Sequence, residues 1–568
     1  MPKLHQYDYL FAIGTIFAFL DAWNIGANDV ANSFATSVAS RSLTMKQAMM
    51  IATCMEFTGS MTVGARVADT IRTKIISTGL FTKDPAVLML AMVCAVVGSS
   101  IYLTIATKLS MPVSTTHSIM GGVIGAGIAA VGVHGINWGW NGVSQVFAAW
   151  AIAPGIAGAF GSIIFLITKF GVMRRSNPAK KAIMTVPVYF FLTSALLALL
   201  IVWKGGSAKI KLKDPEVAGV IVGTGGVVAL LISVFFVPYL WRRIVAGDWQ
   251  LKWYHVFQGP LLLRRGEVPP MPADHVGIQN YYRGHLTREE LQAKRAREGH
   301  SDDVEAHPTD GPDEKNVSSS DVAAVPESTS KDLLFTPTSA RPVGPWYNPA
   351  VAFWITKRVL LRGVEVDVVG MQSKRDFLSG DLEEMHATGE QFNNEAEYTF
   401  SFLQVLTAAT SSFTHGANDV ANAIGPYTTI YFIWSSGTLK NKVPVPDWIL
   451  AFGGAAIVIG LWTYGYNIMK ALGNKITLHS PSRGFSMELG SAITVIMATR
   501  LKLPISTTQC ICGATVGVGL CNGTWRTINW RMVAWIYFGW IITLPVAGLI
   551  SGCLMGIILN APHWTPKK

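Results

Sequence analysis

Two sets of residues in this chain could do ionic chemistry, and each occurs twice. Asn28 and Asp29 lie within Gly-Ala-Asn-Asp-Val-Ala-Asn, which runs from Gly26 to Asn32; the same seven residues return from Gly416 to Asn422 and supply Asn418, Asp419 and Asn422. Carboxylate and carboxamide oxygens are hard ligands, suited to an alkali cation and poorly suited to a soft metal. The second set is Ser114, Thr115 and Thr116 behind Pro112, matched by Ser506, Thr507 and Thr508 behind Pro504. Proline breaks or starts a helix, so hydroxyl residues just after it sit where backbone N–H groups are free and the helix dipole is positive. Such a terminus binds anions, tetrahedral oxyanions in particular, without Arg or Lys. Two plainer readings compete. Polar residues in an apolar helix also make helix-helix seams, helped here by Gly26, Ala27 and Ala31, and Ser or Thr hydroxyls often bond back to their own helix.

The elements that hold these residues are apolar. The 568-residue chain is 50% hydrophobic and 14% charged, well below the roughly 25% charged of soluble chains, and its apolar runs are long enough to cross about 30 Å of hydrocarbon as helices. Spans are expected at 8–34, 47–65, 86–107, 113–133, 143–168, 182–203 and 217–241, then at 398–432, 448–469, 484–500, 505–522 and 531–559. The fold class is therefore an all-α polytopic membrane protein of about twelve transmembrane helices. The net charge of +11 sits mostly in connections between apolar runs, where topology explains it, and no nucleic-acid reader motif accompanies it. Cys54, Cys94, Cys510, Cys512, Cys521 and Cys553 lie in or beside apolar runs and read as core packing, not as a disulfide framework or a metal site. The first run, 9–20, lacks a basic leader and a cleavage site, so it reads as a retained span.

The spacing from Asn28 to Thr115 nearly equals that from Asn418 to Thr507, so the repeating object is a whole unit of several helices. Residues 1–170 form the first repeat, 171–241 two intervening spans, 242–397 a long polar loop and 398–568 the second repeat. Seven spans precede the second copy, and seven is odd, so the two copies enter the membrane from opposite sides. Inverted repeats of this kind typify secondary transporters, with broken helices meeting at a midplane site. Arg242, Arg243, Arg264 and Arg265 place the 242–397 loop in the cytoplasm, and Arg174, Arg175, Lys180 and Lys181 agree. Both termini then lie outside. The connection carrying Arg66, Arg72, Lys74 and Lys83 would also lie outside, against the rule. From Ala296 to Arg341 the loop is too polar to fold, and its Ser318–Ser320 and Ser328–Ser330 clusters are phosphorylation candidates.

If the first span is a regular helix, Asp21, Asn28 and Asn32 share an arc of about 40°, with Asn24 and Asp29 flanking it. Ser411, Thr414, Asn418, Asp419 and Asn422 repeat the stripe. An intramembrane Asp costs about 2.5–3.5 kcal/mol, so such residues pair or line a polar pathway. Glu56 and Glu488 sit in apolar helices and are candidates for pathway or coupling duties, with salt bridges to Arg66 or Arg500 as the structural alternative. His117 is matched by Gln509 and His415 by Ile25, so packing or mouth-lining is expected of both histidines. No phosphate-binding loop of the ATPase type is present, which removes support for ATP-driven pumping. Glycine-rich pieces such as 223–226 read as helix packing. A hydrolase triad of Ser114, His117 and Asp29 lacks ordering, and the second copy has no His.

The two heptapeptides together with Pro-Val-Ser-Thr-Thr at 112–116 and Pro-Ile-Ser-Thr-Thr at 504–508 resemble the inorganic phosphate transporter (PiT) family, and the central loop and overall size are similar to its fungal plasma-membrane members. The resemblance covers essentially the whole chain. It implies a non-enzymatic secondary transporter that imports inorganic phosphate with sodium ions by alternating access, without a cofactor. Carried onto this sequence, it implies phosphate contacts from Ser114, Thr115, Thr116, Ser506, Thr507, Thr508, Asn28 and Asn418. It implies sodium contacts from Asp29, Asp419, Asn28, Asn32, Asn418 and Asn422. Expected partners are phosphate, sodium ions and the lipid bilayer of the plasma membrane, with no nucleic acid and with a homodimer left open. Proton coupling, another tetrahedral oxyanion and a phosphate-sensing receptor remain alternatives. Repeating the His of animal relatives is where this chain departs, at Gln509.

Overall fold

The computed structural model describes residues 3–76, 78–140, 142–202, 213–272, 277–302, 342–360, 378–440, 443–501, 503 and 505–561, without side chains at 31–32, 66–67, 69–74, 78, 298–302, 358–360, 470–471 and 500. Asn32, Arg66, Arg72, Lys74, Arg500, Pro504 and both serine clusters of the loop thus fall outside what is described. Each of the twelve expected apolar runs lies on a helix. We label these α1 (His5–Ala39), α2 (Met45–Lys74), α3 (Pro85–Lys108), α4 (Thr115–Val131), α5 (Val143–Met173), α6 (Pro178–Val202), α7 (Asp214–Val245), α8 (Asn394–Ser436), α9 (Asp447–Tyr464), α10 (Pro481–Leu501), α11 (Thr507–Leu520) and α12 (Trp530–Asn560). No strand occurs among the described residues.

Seven of these helices, α1, α3, α5, α6, α7, α9 and α12, are long and apolar enough to cross a membrane. Four of the other five, α4, α8, α10 and α11, differ for physical reasons. Helices α4 and α11 have 17 and 14 residues, and at about 1.5 Å per residue they fall short of a full bilayer. Helices α8 and α10 are rich in Ser, Thr and carboxylates yet almost wholly buried, so protein shields them from lipid. Their polarity belongs to the site they build.

The packing crosses between the two parts of the chain that carry the heptapeptides. The first helix of each repeat lies on the second helix of the other, α8 on α2 and α1 on α9. Glycine makes both contacts close. A Cβ on Gly416 would stand 2.3 Å from the Glu56 carbonyl oxygen, and one on Gly26 would stand 1.8 Å from that of Ile457. The leading glycine of each heptapeptide is therefore a helix-crossing residue, as the small-residue seam predicts. The short helices cross over in the same way: α4 packs on α12 and α11 on α5.

Part of the loop is ordered against this body, beyond what its composition predicts. Helix formation extends over Arg288–Asp302, past the point at Ala296 where structure is expected to end; residues 303–341 are not described. Thr287 and Glu290 cap the helix reciprocally, and Lys294 pairs with Glu383 at 3.1 Å. Local capping and burial of Leu291 hold the helix, and the exposed ion pair adds little. Nearby, Tyr282 donates to the buried Glu397 carboxylate at 2.7 Å, and the Ser482 N–H donates to its other oxygen at 2.8 Å.

Candidate functional site

The two aspartates meet at the ends of the two short helices. Helix α4 begins at Thr115 because Ser114 caps it, its Oγ accepting the His117 N–H at 3.2 Å; Ser506 does the same for Gln509 at 3.4 Å. Both serines of the expected phosphate set thus act as N-caps, and the adjacent threonines face the carboxylates. Thr115 donates to Asp29 Oδ2 at 2.5 Å within the first repeat, and Thr507 donates to Asp419 Oδ2 at 2.6 Å within the second. The next threonines cross over. Thr508 donates to Asp29 Oδ1 at 2.8 Å and Thr116 to Asp419 Oδ1 at 3.3 Å. Each carboxylate is therefore held by one hydroxyl from its own repeat and one from the other.

Asn422 completes the crossing, its amide lying 3.2 Å from Thr115 Oγ1, 3.1 Å from Thr116 Oγ1 and 3.3 Å from Asp419 Oδ1. Asn418 donates to Asp419 Oδ1 at 2.9 Å. Asn28 is placed differently. Its amide donates to Thr107 Oγ1 and the Met111 carbonyl, both at 3.1 Å, and its oxygen accepts the Val113 N–H at 3.1 Å. It therefore clamps the loop leading to α4. The regular-helix arc that groups Asn28 with Asp21 does not hold, because Gly26–Val30 is a π turn, whose i→i+5 bonding shifts the angular phase. Asp29 turns into the site and Asp21 does not; Asp21 accepts from Ser100 at 3.5 Å.

Two residues expected to be peripheral or paired elsewhere behave otherwise. His415 lies between two carboxylates: its Nδ1 is 2.8 Å from Glu56 Oε2, and its Nε2 is 3.1 Å from Asp419 Oδ2 without hydrogen-bond alignment. Packing or mouth-lining is thus the wrong role for it. Ser412 also donates to Glu56, at 2.8 Å. The contact between Gly416 and the Glu56 backbone is what brings this pair together, and that close approach is the signal that the mismatch with Ile25 conceals. His117 does pack: neither ring nitrogen has a partner among the described residues, and the ring stands edge-on to Trp150 at 5.9 Å.

Glu488, on α10, accepts from Thr36 at 2.6 Å, Ser37 at 2.5 Å and Gln404 at 3.0 Å through one oxygen, and from Thr407 at 2.6 Å through the other. Hydroxyl and amide donors from α1 and α8 hold this wholly buried carboxylate, so the alternative of an Arg500 salt bridge is not needed to account for it. One ligand atom from each of Asp29, His415 and Asp419 lies within 4.8 Å of the others. Beside them is a cavity of about 10 Å³ lined by Asp29, Ser33, Ser411, Thr414, Ser491 and Thr507 among others. That space is about one water or one monatomic ion, and its lining is rich in oxygen. It is too small for a tetrahedral oxyanion.

Residues 25–551 match the sequence pattern of the family described as the Phosphate transporter family. The chain is 60% identical, over 99% of both chains, to the phosphate-repressible phosphate permease pho-4 of Neurospora crassa. It is 31% identical to a putative phosphate permease of Pyrococcus abyssi, over 94% of this chain and 95% of that one. With sodium-dependent phosphate transporter 2 of Felis catus the identity is 27%, over 97% and 98% of the two chains. A solved structure titled "The sodium-dependent phosphate transporter" superimposes with a TM-score of 0.64 at 25% identity, covering 98% of this chain and all of the other.

Proposed function

The chain belongs to the phosphate transporter family, and from that premise we propose that it imports inorganic phosphate together with sodium ions by alternating access of two inverted repeats. It is a multi-pass membrane transporter, not an enzyme. The observation that carries the coupling is the reciprocal crossing of Thr508 to Asp29 and Thr116 to Asp419.

With no cation bound, two buried carboxylates repel an approaching anion, and the threonine hydroxyls are occupied by them. Sodium ions taken by Asp29 and Asp419, with the surrounding hydroxyls and Asn422, neutralise that charge. Thr115, Thr116, Thr507 and Thr508 are then released toward phosphate at the two facing helix N-termini. Ser114 and Ser506 act by fixing those termini, and Asn28 by holding the loop before α4. Because each carboxylate is tied to both repeats, loading the site also cuts the ties that lock the repeats together. The repeats then rock about it. Asn32 belongs to the same heptapeptide and is assigned to the sodium set with it.

Energetics favour the coupling. A monovalent anion moving inward against 100 mV, inside negative, costs about 2.3 kcal/mol, and two accompanying sodium ions reverse the sign. We place the protein in the plasma membrane with both termini outside and the 242–397 loop in the cytoplasm, on the distribution of Lys and Arg. Proton coupling is the second reading, favoured by His415 standing between Glu56 and Asp419. Radiolabelled phosphate flux into proteoliposomes under separately imposed sodium and proton gradients decides between them. Flux driven by the sodium gradient alone supports the first reading; flux driven only by the proton gradient replaces it with the second, and binding without flux makes the protein a receptor.

A further inference from the structure

A cavity of 660 Å³ that shares no lining residue with the small cavity at the ion site lies between α5, α11 and α12. Its size falls in the range of small-molecule sites, about 300–1,000 Å³. Gly155 and Gly158 of α5 and Gly513 and Gly517 of α11 leave one side without side-chain relief, while Trp530, Tyr537 and Trp540 of α12 give the other an aromatic surface. Helix packing accounts for three of the glycines. A Cβ on Gly513 would stand 2.3 Å from the Pro154 carbonyl oxygen, one on Gly517 would stand 2.5 Å from that of Gly158, and one on Gly158 would stand 3.0 Å from that of Gly513. Gly155 is different, since a Cβ there meets nothing within 4 Å. The space beside it is not demanded by helix contact.

The surroundings identify what enters. Phe147 and Ile541 on the rim are 44% and 50% exposed on helices apolar enough to cross a membrane, so the cavity opens toward hydrocarbon. Along α11 it runs from Cys512 to Leu520, a rise of about 12 Å, close to one leaflet of a bilayer whose core is about 30 Å. Trp530, at the start of α12 and 41% exposed, marks the headgroup end in the manner of an interfacial aromatic. The occupant is thus a bilayer component about one leaflet long and nearly all apolar. A flexible acyl chain would lose rotamer freedom along its length on entering. A rigid ring system loses little freedom.

We propose that this cavity is a sterol-binding site, with the flat rings between the glycine and aromatic sides and the hydroxyl at the Trp530 end. The occupant packs against α11 one turn beyond Thr508.

The test uses the full-length protein in phosphatidylcholine nanodiscs with a diazirine-bearing sterol as photoprobe. Labelled peptides should come from 147–158 or 530–541, and unlabelled sterol should compete. Gly155→Leu should lower labelling about tenfold, the response to losing about 1.4 kcal/mol of binding. Gly171→Leu, at an equally open position outside the cavity, should not lower it. Phosphate uptake by Gly155→Leu in sterol-free liposomes shows that the variant is folded, and Val516→Trp fills the same cavity if it is not. Undiminished labelling in a folded cavity-filling variant overturns the proposal. So does competition by an added free fatty acid equal to that by unlabelled sterol, which would make the site an acyl-chain groove, and so do crosslinks at these peptides to a second copy of the chain.

Discussion

Thr508 donates to Asp29 at 2.8 Å from the opposite repeat, 479 residues away in the chain. The same hydroxyl is proposed to turn to phosphate once the site is loaded, and a hydrogen bond to a buried charged group contributes about 1.5–3 kcal/mol. Thr508→Val keeps the shape and removes the donor. Sodium-dependent phosphate uptake should fall by roughly ten- to a hundredfold, with surface expression intact; unchanged uptake would show that the crossing is incidental.

Asp29→Asn and Asp419→Asn remove the charge that each sodium ion is proposed to meet. Each variant should lower uptake and flatten its dependence on sodium concentration, since one of two cation requirements is lost. Measured sodium activation curves check this. Wild-type curves in both variants would sink the assignment of the aspartates.

Glu488 tests the difference between a buried charge and a buried hydrogen-bond acceptor. In Glu488→Ala, four donors lose their acceptor, each at about 1–3 kcal/mol, so the protein should fail to reach the membrane in a monodisperse form. Glu488→Gln keeps the acceptor that Thr36, Ser37 and Gln404 share, and Thr407 can rotate to accept. It should fold, and its thermal melting in detergent should lie close to wild type. If its uptake falls all the same, Glu488 serves transport and not only architecture.

Outside the membrane, burial lowers His285 to about 3 and His386 to about 4, and their rings meet at 4.6 Å within the 242–397 loop. A His whose folded pKa lies below its unfolded value of 6.5 costs nothing above that pH. As pH falls below about 6.5 the unfolded state takes up protons that the folded state refuses. Stability should drop by up to about 1.4 kcal/mol per histidine for each pH unit until the folded values are reached. Limited proteolysis of 277–302 and 378–394 at pH 7.5 and pH 5 reads this directly, with faster cleavage expected at pH 5. His386→Gln should remove part of the pH response.

Much of this site is legible in the sequence because evolution wrote it twice. Asp29 and Asp419, Thr115 and Thr507, Thr116 and Thr508 stand out by duplication alone, and the apolar runs around them locate the helices. What is hidden is whatever breaks the repeat or the helical period. His415 has Ile25 for a counterpart, so duplication hides it. Asn28 looks like a ligand on a regular helix, and only the π turn at Gly26–Val30 sends it to the α4 loop. Glu56 finds His415 through a helix crossing that no local pattern encodes, since it depends on Gly59 and Gly416 meeting backbone on α8 and α2.

That crossing gives the last prediction. A Cβ added at Gly416 would stand 2.3 Å from the Glu56 carbonyl oxygen and 2.8 Å from its Cα, and one at Gly59 would stand 2.2 Å from the Phe413 carbonyl oxygen. The obstructing atoms are backbone, so no rotamer change relieves them, and α2 and α8 must move apart. Overpacking of this kind costs about 1–3 kcal/mol, and separation also breaks the contact that joins His415 to Glu56. Gly416→Ala should therefore lower the melting temperature and the uptake together, whereas Gly155→Ala, where the added carbon meets nothing, should lower neither. His415→Gln sorts the two effects of the crossing: it leaves the glycine contact in place, so a loss of uptake with melting near wild type assigns the function to the Glu56–His415–Asp419 chain. Equal losses of stability and uptake in His415→Gln would make that chain a structural brace.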